Sequence, residues 1–156
     1  MTETAIDDLK QAIPTGSRLL GLDLGSKTIG LAISDGALML ATPLNTIRRK
    51  KFTQDAEQLI AIIADRQIGG LVLGLPVNMD GTEGPRCQST RQFARNLQEK
   101  IDIPIAFWDE RLSTAAVERD LIAADVSRAK RAQVVDQMAA GFILQGALDY
   151  LNRQGN

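Results

Sequence analysis

Residues 18–34, RLLGLDLGSKTIGLAIS, read as two apolar runs joined at Gly25-Ser26-Lys27, the pattern of a β-hairpin. The turn residues Asp35-Gly36 follow and predict a third strand over Leu38–Thr46, so three antiparallel strands open the domain. Beyond them the apolar period changes. Phe52, Ala56, Leu59, Ile60 and Ile63 recur at helical spacing, and the stripe is expected to end near Gly69-Gly70. Leu71–Leu75 is a short, almost wholly apolar run, as expected of a central strand covered on both faces. A second helix over about Arg86–Lys100, a strand over Ile103–Trp108 and closing helices complete the alternation. A β-meander followed by αβαβ units and terminal helices predicts one α/β domain, a mixed five-stranded sheet flanked by helices.

The ends of the chain carry weaker signals. In residues 1–16, Ile6, Leu9, Ala12 and Ile13 form one amphipathic stretch before Pro14 and Gly16 interrupt it. That segment is read as an N-terminal leader, residues 17–152 as the single domain, and residues 153–156 as a tail. A chain of 156 residues with 44% hydrophobic content is long enough to bury a core of its own. Its lone Cys87 cannot form an internal disulfide, and the opening MTETAIDD precedes no apolar run. The expected setting is therefore the cytoplasm, with no membrane span. With 18 basic and 19 acidic residues the net charge is -1, so bulk charge neither announces nor excludes a nucleic-acid partner.

The chain has no histidine, which leaves polar chemistry to acids, hydroxyls, lysine and arginine. Carboxylates suit hard, oxygen-bound cations such as Mg²⁺ or Mn²⁺. Three acids stand out. If Leu20, Leu22 and Leu24 share one face of the first strand, Asp23 lies on the other with Leu19 and Gly21. An ionised acid on an inner strand requires a cationic partner or a metal-filled cleft; the competing reading makes Asp23 a turn residue paired with Lys27. Asp136 shares a helical direction with Ala140, Ile143, Ala147 and Leu151, which puts it on the stripe that packs against the sheet. Were the helix to start just before it, Asp136 would instead be a macrodipole or capping acid. Asp109 and Glu110 are adjacent, so alternation sends them to opposite faces without saying which enters a site. Asp35 and Asp80 each precede glycine and read as turn residues.

The blocks GLDLGSKTIGLAISD (21–35), LVLGLPVNMDGTEGP (71–85), FWDERLST (107–114) and AKRAQVVDQMAAGFILQ (129–145) closely resemble the YqgF/RuvX family, pre-16S rRNA nucleases related to RuvC-type Holliday-junction resolvases. The resemblance spans nearly all of the chain after Arg18. It implies an RNase H-like fold and a metal-dependent nuclease site at Asp23, Glu110 and Asp136, and it is the family pattern that selects Glu110 over Asp109. Thr28 departs from that pattern, standing where arginine more often follows the lysine. Three carboxylates at one end of a sheet make a cage for two Mg²⁺ or Mn²⁺ ions in a two-metal hydrolysis of phosphodiesters.

Lys27, Arg111, Arg128, Lys130 and Arg131 flank the acidic motifs and are candidates for phosphate contacts. The run Arg48-Arg49-Lys50-Lys51 is a lesser candidate of the same kind, since basic residues also commonly decorate a solvated surface. Aromatic residues make up only 4% of the chain, too few for a platform that stacks many bases, though Phe107 or Trp108 could contribute one contact. Gly25-Ser26-Lys27-Thr28 is not a P-loop, since the segment returns as a strand and opens no helix. By resemblance the substrate is precursor rRNA in 5′-end maturation of 16S rRNA, with ribosomal particles as further partners and a monomer or weak dimer as the working form. Two alternatives stay open: a resolvase-like endonuclease acting on branched DNA, which would need a C₂ dimer, and a nucleic-acid-binding adaptor without catalysis.

Overall fold

The computed structural model describes residues 3–112 and 131–154, the side chains of 131–137 excepted. The predicted hairpin is formed by β1 (Arg18–Leu24) and β2 (Thr28–Ser34), with Asp23 opposite Gly30 and Leu22 opposite Leu31. The Gly25 amide donates to the Thr28 carbonyl at 2.9 Å and closes the turn. A third strand, β3 (Ala41–Arg48), pairs antiparallel to β2. It starts three residues later than the apolar pattern suggests, for a local reason. The Asp35 carboxylate accepts the Met39 and Leu40 amides at 2.7 and 3.1 Å, and Leu38 adopts a φ of 59°, so the turn consumes the start of the apolar run.

After β3 come α2 (Phe52–Asp65), β4 (Ile68–Leu75), α3 (Pro85–Gln98), β5 (Ile105–Asp109), a single 3₁₀ turn (Glu110–Leu112) and the long α4 (Arg131–Gln154). A four-residue helix, α1 (Leu9–Ala12), precedes β1. The sheet order is β3-β2-β1-β4-β5, with β1, β4 and β5 parallel. This is the mixed five-stranded sheet that the element order implied. Gly69 and Gly70 do not end α2 as expected but lie in β4, where Ile13 and Leu9 of the leading segment press against the backbone.

Each face of the sheet buries its own apolar cluster. Leu20, Leu22, Ile29, Leu31, Leu71, Leu73 and Ile105 pack against Ala56 and Leu59 of α2 and Phe93, Ala94 and Leu97 of α3. On the other face Leu19, Ala32, Val72, Ala106 and Trp108 meet Ala140, Ile143, Leu144, Ala147, Leu148 and Leu151 of α4, with Leu9 and Ile13. All eight residues of β4 are buried, as its unbroken apolar run requires of a strand covered on both sides. Each buried leucine contributes about 1.5–3 kcal/mol over leaving it exposed, so this two-sided core is what holds the strand ends in place.

Candidate active site

Alternation along β1 sends Leu20 and Leu22 toward α2 and α3 and Leu19 toward α4, so Asp23 faces the α4 side. It is 3% exposed at the carboxyl end of the strand. On β5, Ile105 lies with the α2/α3 cluster while Ala106 and Trp108 lie with the α4 cluster. Glu110, in the turn after β5, lies on the α4 side as well, its Oε1 beside Gly74 together with Ile143 of α4.

Between these two acids lies β4. Leu22 is level with Leu73, which puts Asp23 level with Gly74, and Gly74 is paired with Trp108 on β5. A Cβ on Gly74 would sit 3.5 Å from Glu110 Oε1 and 2.4 Å from Ile143 Cδ1. The Glu110 carboxylate thus lies beside Gly74, next to the Ile143 side chain that packs on that glycine, and it is 4% exposed. Two carboxylates therefore share one face of the sheet, one strand apart on either side of a residue without a side chain.

α4 closes over the same edge. A Cβ on Gly21 would meet Leu144 Cβ at 2.8 Å and the Ala140 carbonyl at 3.3 Å. Toward its carboxyl end the helix reaches the amino end of the sheet, where the Asn152 amide donates to the Leu38 carbonyl at 3.0 Å. Its earlier turns consequently run toward the carboxyl end of β1, and Asp136 stands one turn before Ala140. The side chain of Asp136 lies outside the described residues. The stripe counted from it does not: Ala140, Ile143, Ala147 and Leu151 are all buried against the sheet.

The candidate cations are distributed unevenly. Lys27 is exposed in the β1–β2 turn, and its carbonyl accepts the Arg49 amide at 2.8 Å. Arg111 is held by Asp109, with Nη2 donating to Oδ2 at 2.7 Å and Nε to Oδ1 at 3.1 Å. The Arg111 side chain holds the Asp109 carboxyl below the usual carboxylate range, against the opposing effect of burial. Arg131 opens α4 but its side chain lies outside the described residues, as do Arg128 and Lys130 altogether. Asp35 and Asp80 are turn acids, both lowered: Asp80 by the Thr82 hydroxyl and amide, Asp35 by the Leu40 and Met39 amides.

Neither aromatic offered for base stacking is free to do it. Trp108 is 2% exposed and packs against Tyr150 with ring centroids 5.7 Å apart, while the Arg91 guanidinium covers Phe107 at 4.9 Å. Two arginines sit instead beside the β1–β2 turn: Arg49, from the basic run, and Arg86, which no sequence motif singled out. Arg49 Nη1 donates to the Gly25 carbonyl at 2.7 Å, and Arg86 Nη2 makes a long 3.4 Å contact with the Leu24 carbonyl. Arg86 carried one readable signal, a cation in the first turn of a helix, where the macrodipole disfavours it.

The donor set fits a hard divalent cation. Asp23 and Glu110 offer buried carboxylate oxygens, the ligand type such a cation prefers. Among the described residues no three acid, histidine or cysteine side chains gather into a metal site, so a third ligand would come from outside them. No described helix is long and apolar enough to cross a membrane.

A family model described as RuvX, Holliday junction resolvase, matches residues 17–150. A Ruegeria protein provisionally named pre-16S rRNA nuclease is 61% identical over 149 residues, covering 96% of this chain and 95% of that relative. A namesake from Paramagnetospirillum magneticum is 64% identical over 148 residues, covering 95% and 94%. Among solved structures, Thermus thermophilus RuvC in complex with a Holliday junction substrate superposes with a TM-score of 0.54 at 11% identity, over 85% of this chain and 94% of that one. The yeast mitochondrial Holliday junction resolvase Ydc2 does so with a TM-score of 0.51 at 13% identity, over 96% and 85%. At such identities the structural likeness speaks for the fold, which is RNase H-like.

Proposed function

The chain belongs to the RuvX family, and from that premise we propose that it is a divalent-metal-dependent nuclease that hydrolyses phosphodiester bonds in the 5′-end maturation of pre-16S rRNA. The observation that carries the reading is the pair of buried carboxylates, Asp23 and Glu110, on either side of Gly74 at the carboxyl edge of the sheet. Carboxylate oxygens are the ligands that suit a hard divalent cation, and the chain has no histidine to serve in their place.

In this reading Asp23 and Glu110, with Asp136 from α4 as the third ligand, hold one or two Mg²⁺ or Mn²⁺ ions. Bound there, the ions would supply an activated water and neutralise charge on the leaving oxygen. The chain's own part is positional. β1 and the turn after β5 present their carboxylates from rigid elements, Gly74 keeps the floor between them low, and α4 shields the site from one side. Lys27, Lys130 and Arg131 contact substrate phosphates; Arg111, already bonded to Asp109, orients the Glu110 turn and reaches phosphate only by sharing its fork. The nuclease unit spans residues 17–152 and works in the cytoplasm, where the single buried thiol, Cys87, stays reduced. One cut at one end of an RNA requires no second copy, so a monomer or weak dimer acting on precursor ribosomal particles suffices.

The test is cleavage of labelled pre-16S 5′-leader RNA beside a synthetic four-way DNA junction, each with Mg²⁺, Mn²⁺ or EDTA, using wild type and Asp23→Asn. Metal-dependent RNA cutting that the substitution abolishes is the expected result. Cutting of the junction alone would reassign the substrate to branched DNA. Binding that persists in EDTA without any cutting would leave an adaptor.

A further inference from the structure

A cleft of about 360 Å³ opens between the β1–β2 turn and the amino end of α3, lined among others by Leu24, Gly25, Ser26, Arg49, Arg86 and Ser89. We propose that this cleft is a phosphate-backbone subsite, which holds a neighbouring phosphate of the same nucleic-acid strand that Asp23 and Glu110 cleave. It rests on the nuclease reading for the identity of the strand, but its own grounds are separate.

The first is topology. From β1 the chain turns back into β2 on one side, and from β4 it leaves through α3 to β5 on the other. The two connections diverge between adjacent parallel strands, and the crevice they leave at the carboxyl ends is where open α/β sheets bind ligands. The lining confirms the position: one wall follows β1, the other follows β4.

The second is charge. Arg49 is clamped by the Gly25 carbonyl and stacked over the Phe93 ring at 5.6 Å, while Arg86 reaches the Leu24 carbonyl only at 3.4 Å. Among the described residues neither is in an ion pair; the pairs found there belong to Arg66, Arg91 and Arg111. Among the described residues no acid lines the cleft. Two guanidiniums beside two serine hydroxyls form a donor-rich surface suited to phosphate oxygens. A cation in the first turn of α3 runs against the helix dipole, a cost that an anion between it and Arg49 would offset. Phe93 is covered by Arg49, so among the described residues the cleft offers no bare ring for a base, which points to the sugar-phosphate chain and away from a mononucleotide.

The third is continuity with the acids. Leu24 follows Asp23 directly, and their side chains take opposite faces of β1. The cleft therefore opens on the α3 side of the same strand end whose α4 side carries the carboxylates. A strand crossing the sheet edge meets both.

The experiment is fluorescence anisotropy with a 5′-labelled pre-16S leader RNA in EDTA across a salt series, using wild type, Arg86→Ala and Arg95→Ala. Arg86 is exposed, so its removal leaves the fold intact. Arg95 lies nine residues on in the same helix, about 13 Å away, and controls for net charge. Arg86→Ala should weaken binding about three- to tenfold, equally for unrelated sequences, and flatten the slope of log K against log salt by about 0.7–1. Arg95→Ala should leave the slope unchanged. An Arg86→Ala slope equal to wild type, an equal change in both variants, or no salt-dependent binding by wild type would each overturn the subsite. A parallel Mg²⁺ cleavage arm keeps the two readings apart: normal cutting with an unchanged slope sinks the subsite alone, whereas the expected slope change without cutting sinks the nuclease alone.

Discussion

Two glycines let α4 sit on the sheet, and they should respond differently to alanine. Neither has a positive φ, so the backbone tolerates a Cβ, and alanine gains about 0.4–1 kcal/mol from a less flexible unfolded chain. The steric cost is opposed to that gain. At Gly74 the new Cβ meets Ile143 Cδ1 at 2.4 Å and Cγ1 at 3.0 Å, the far end of a side chain; relief by a local adjustment brings the overpacking cost to about 2 kcal/mol. At Gly21 it meets Leu144 Cβ at 2.8 Å and the Ala140 carbonyl at 3.3 Å. Those atoms are fixed to the helix, so α4 itself must move, at about 3 kcal/mol. The net losses are then about 1 kcal/mol for Gly74→Ala and about 2 kcal/mol for Gly21→Ala, or roughly 2–4 °C and 4–8 °C in Tm for a chain of this size. Ile143→Val removes the offending Cδ1 and should rescue most of Gly74→Ala, giving a coupling of about 1 kcal/mol in a double-mutant cycle. Leu144→Ala keeps its Cβ and should not rescue Gly21→Ala. Urea unfolding of the seven proteins reads all of this. Additive losses for Gly74→Ala and Ile143→Val, or Gly21→Ala milder than Gly74→Ala, would refute the close approach of α4 to β1 and β4.

Saturating Mg²⁺ should stabilise the wild type by about 2.7 kcal/mol at a hundredfold excess over Kd, read as a Tm increase in scanning fluorimetry. Asp23→Asn and Glu110→Gln should lose that increase while retaining the fold in EDTA; an undiminished shift in either would remove it from the ligand set. The Asp109 carboxyl is held low by Arg111, so its folded pKa lies below its unfolded one. Its contribution is present above about pH 4 and lost as pH falls through the folded value, and urea midpoints of wild type and Asp109→Asn should therefore converge only in acid. Cys87 is fully buried, with its thiol pushed up by burial. It should react with an aromatic disulfide reagent only once urea unfolds the chain, and fast labelling of native protein would contradict the packing of α3.

Period-2 alternation in β1 and the solid apolar run of β4 made the order and depth of the central strands legible, because both faces of those strands are decided by burial alone. Asp23 was legible for the same reason: a charge amid leucines violates the pattern that the rest of the strand obeys. What the sequence left open was settled by interactions between distant or turn residues. The start of β3 depends on the Asp35 carboxylate capturing two amides, which no apolar period records. Gly69-Gly70 looked like a helix stop because glycine signals both a break and a close approach, and only the packing of Leu9 and Ile13 against it distinguishes the two. Which side of the sheet Glu110 takes is set by the 3₁₀ turn after β5, which puts its carboxylate beside Gly74 and Ile143. Arg49 and Arg86 lie 37 positions apart and line one cleft only because β1 and β4 are neighbours.

The last two residues of β1 explain why that register matters to chemistry as well as to packing. Asp23 faces α4 and Leu24 faces α3, so a slip of one residue would exchange them, burying the carboxylate among Leu59, Phe93 and Leu97 and taking Asp23 out of the proposed metal site. The slip is opposed at the turn by the Gly25 amide on the Thr28 carbonyl, and by Arg49, whose amide and guanidinium bond the Lys27 and Gly25 carbonyls. Arg49 therefore joins two tasks, since the cation that faces the cleft also pins the hairpin that aims Asp23. Arg49→Lys keeps the charge but cannot bond the Gly25 carbonyl while stacking its planar fork on Phe93. It should retain the salt slope of RNA binding yet lower the cleavage rate at saturating RNA, whereas Arg86→Ala should flatten the slope and act on cleavage through a raised KM. Equal effects of the two substitutions on both measurements would mean that the cleft and the acid site are not separable parts of one strand end.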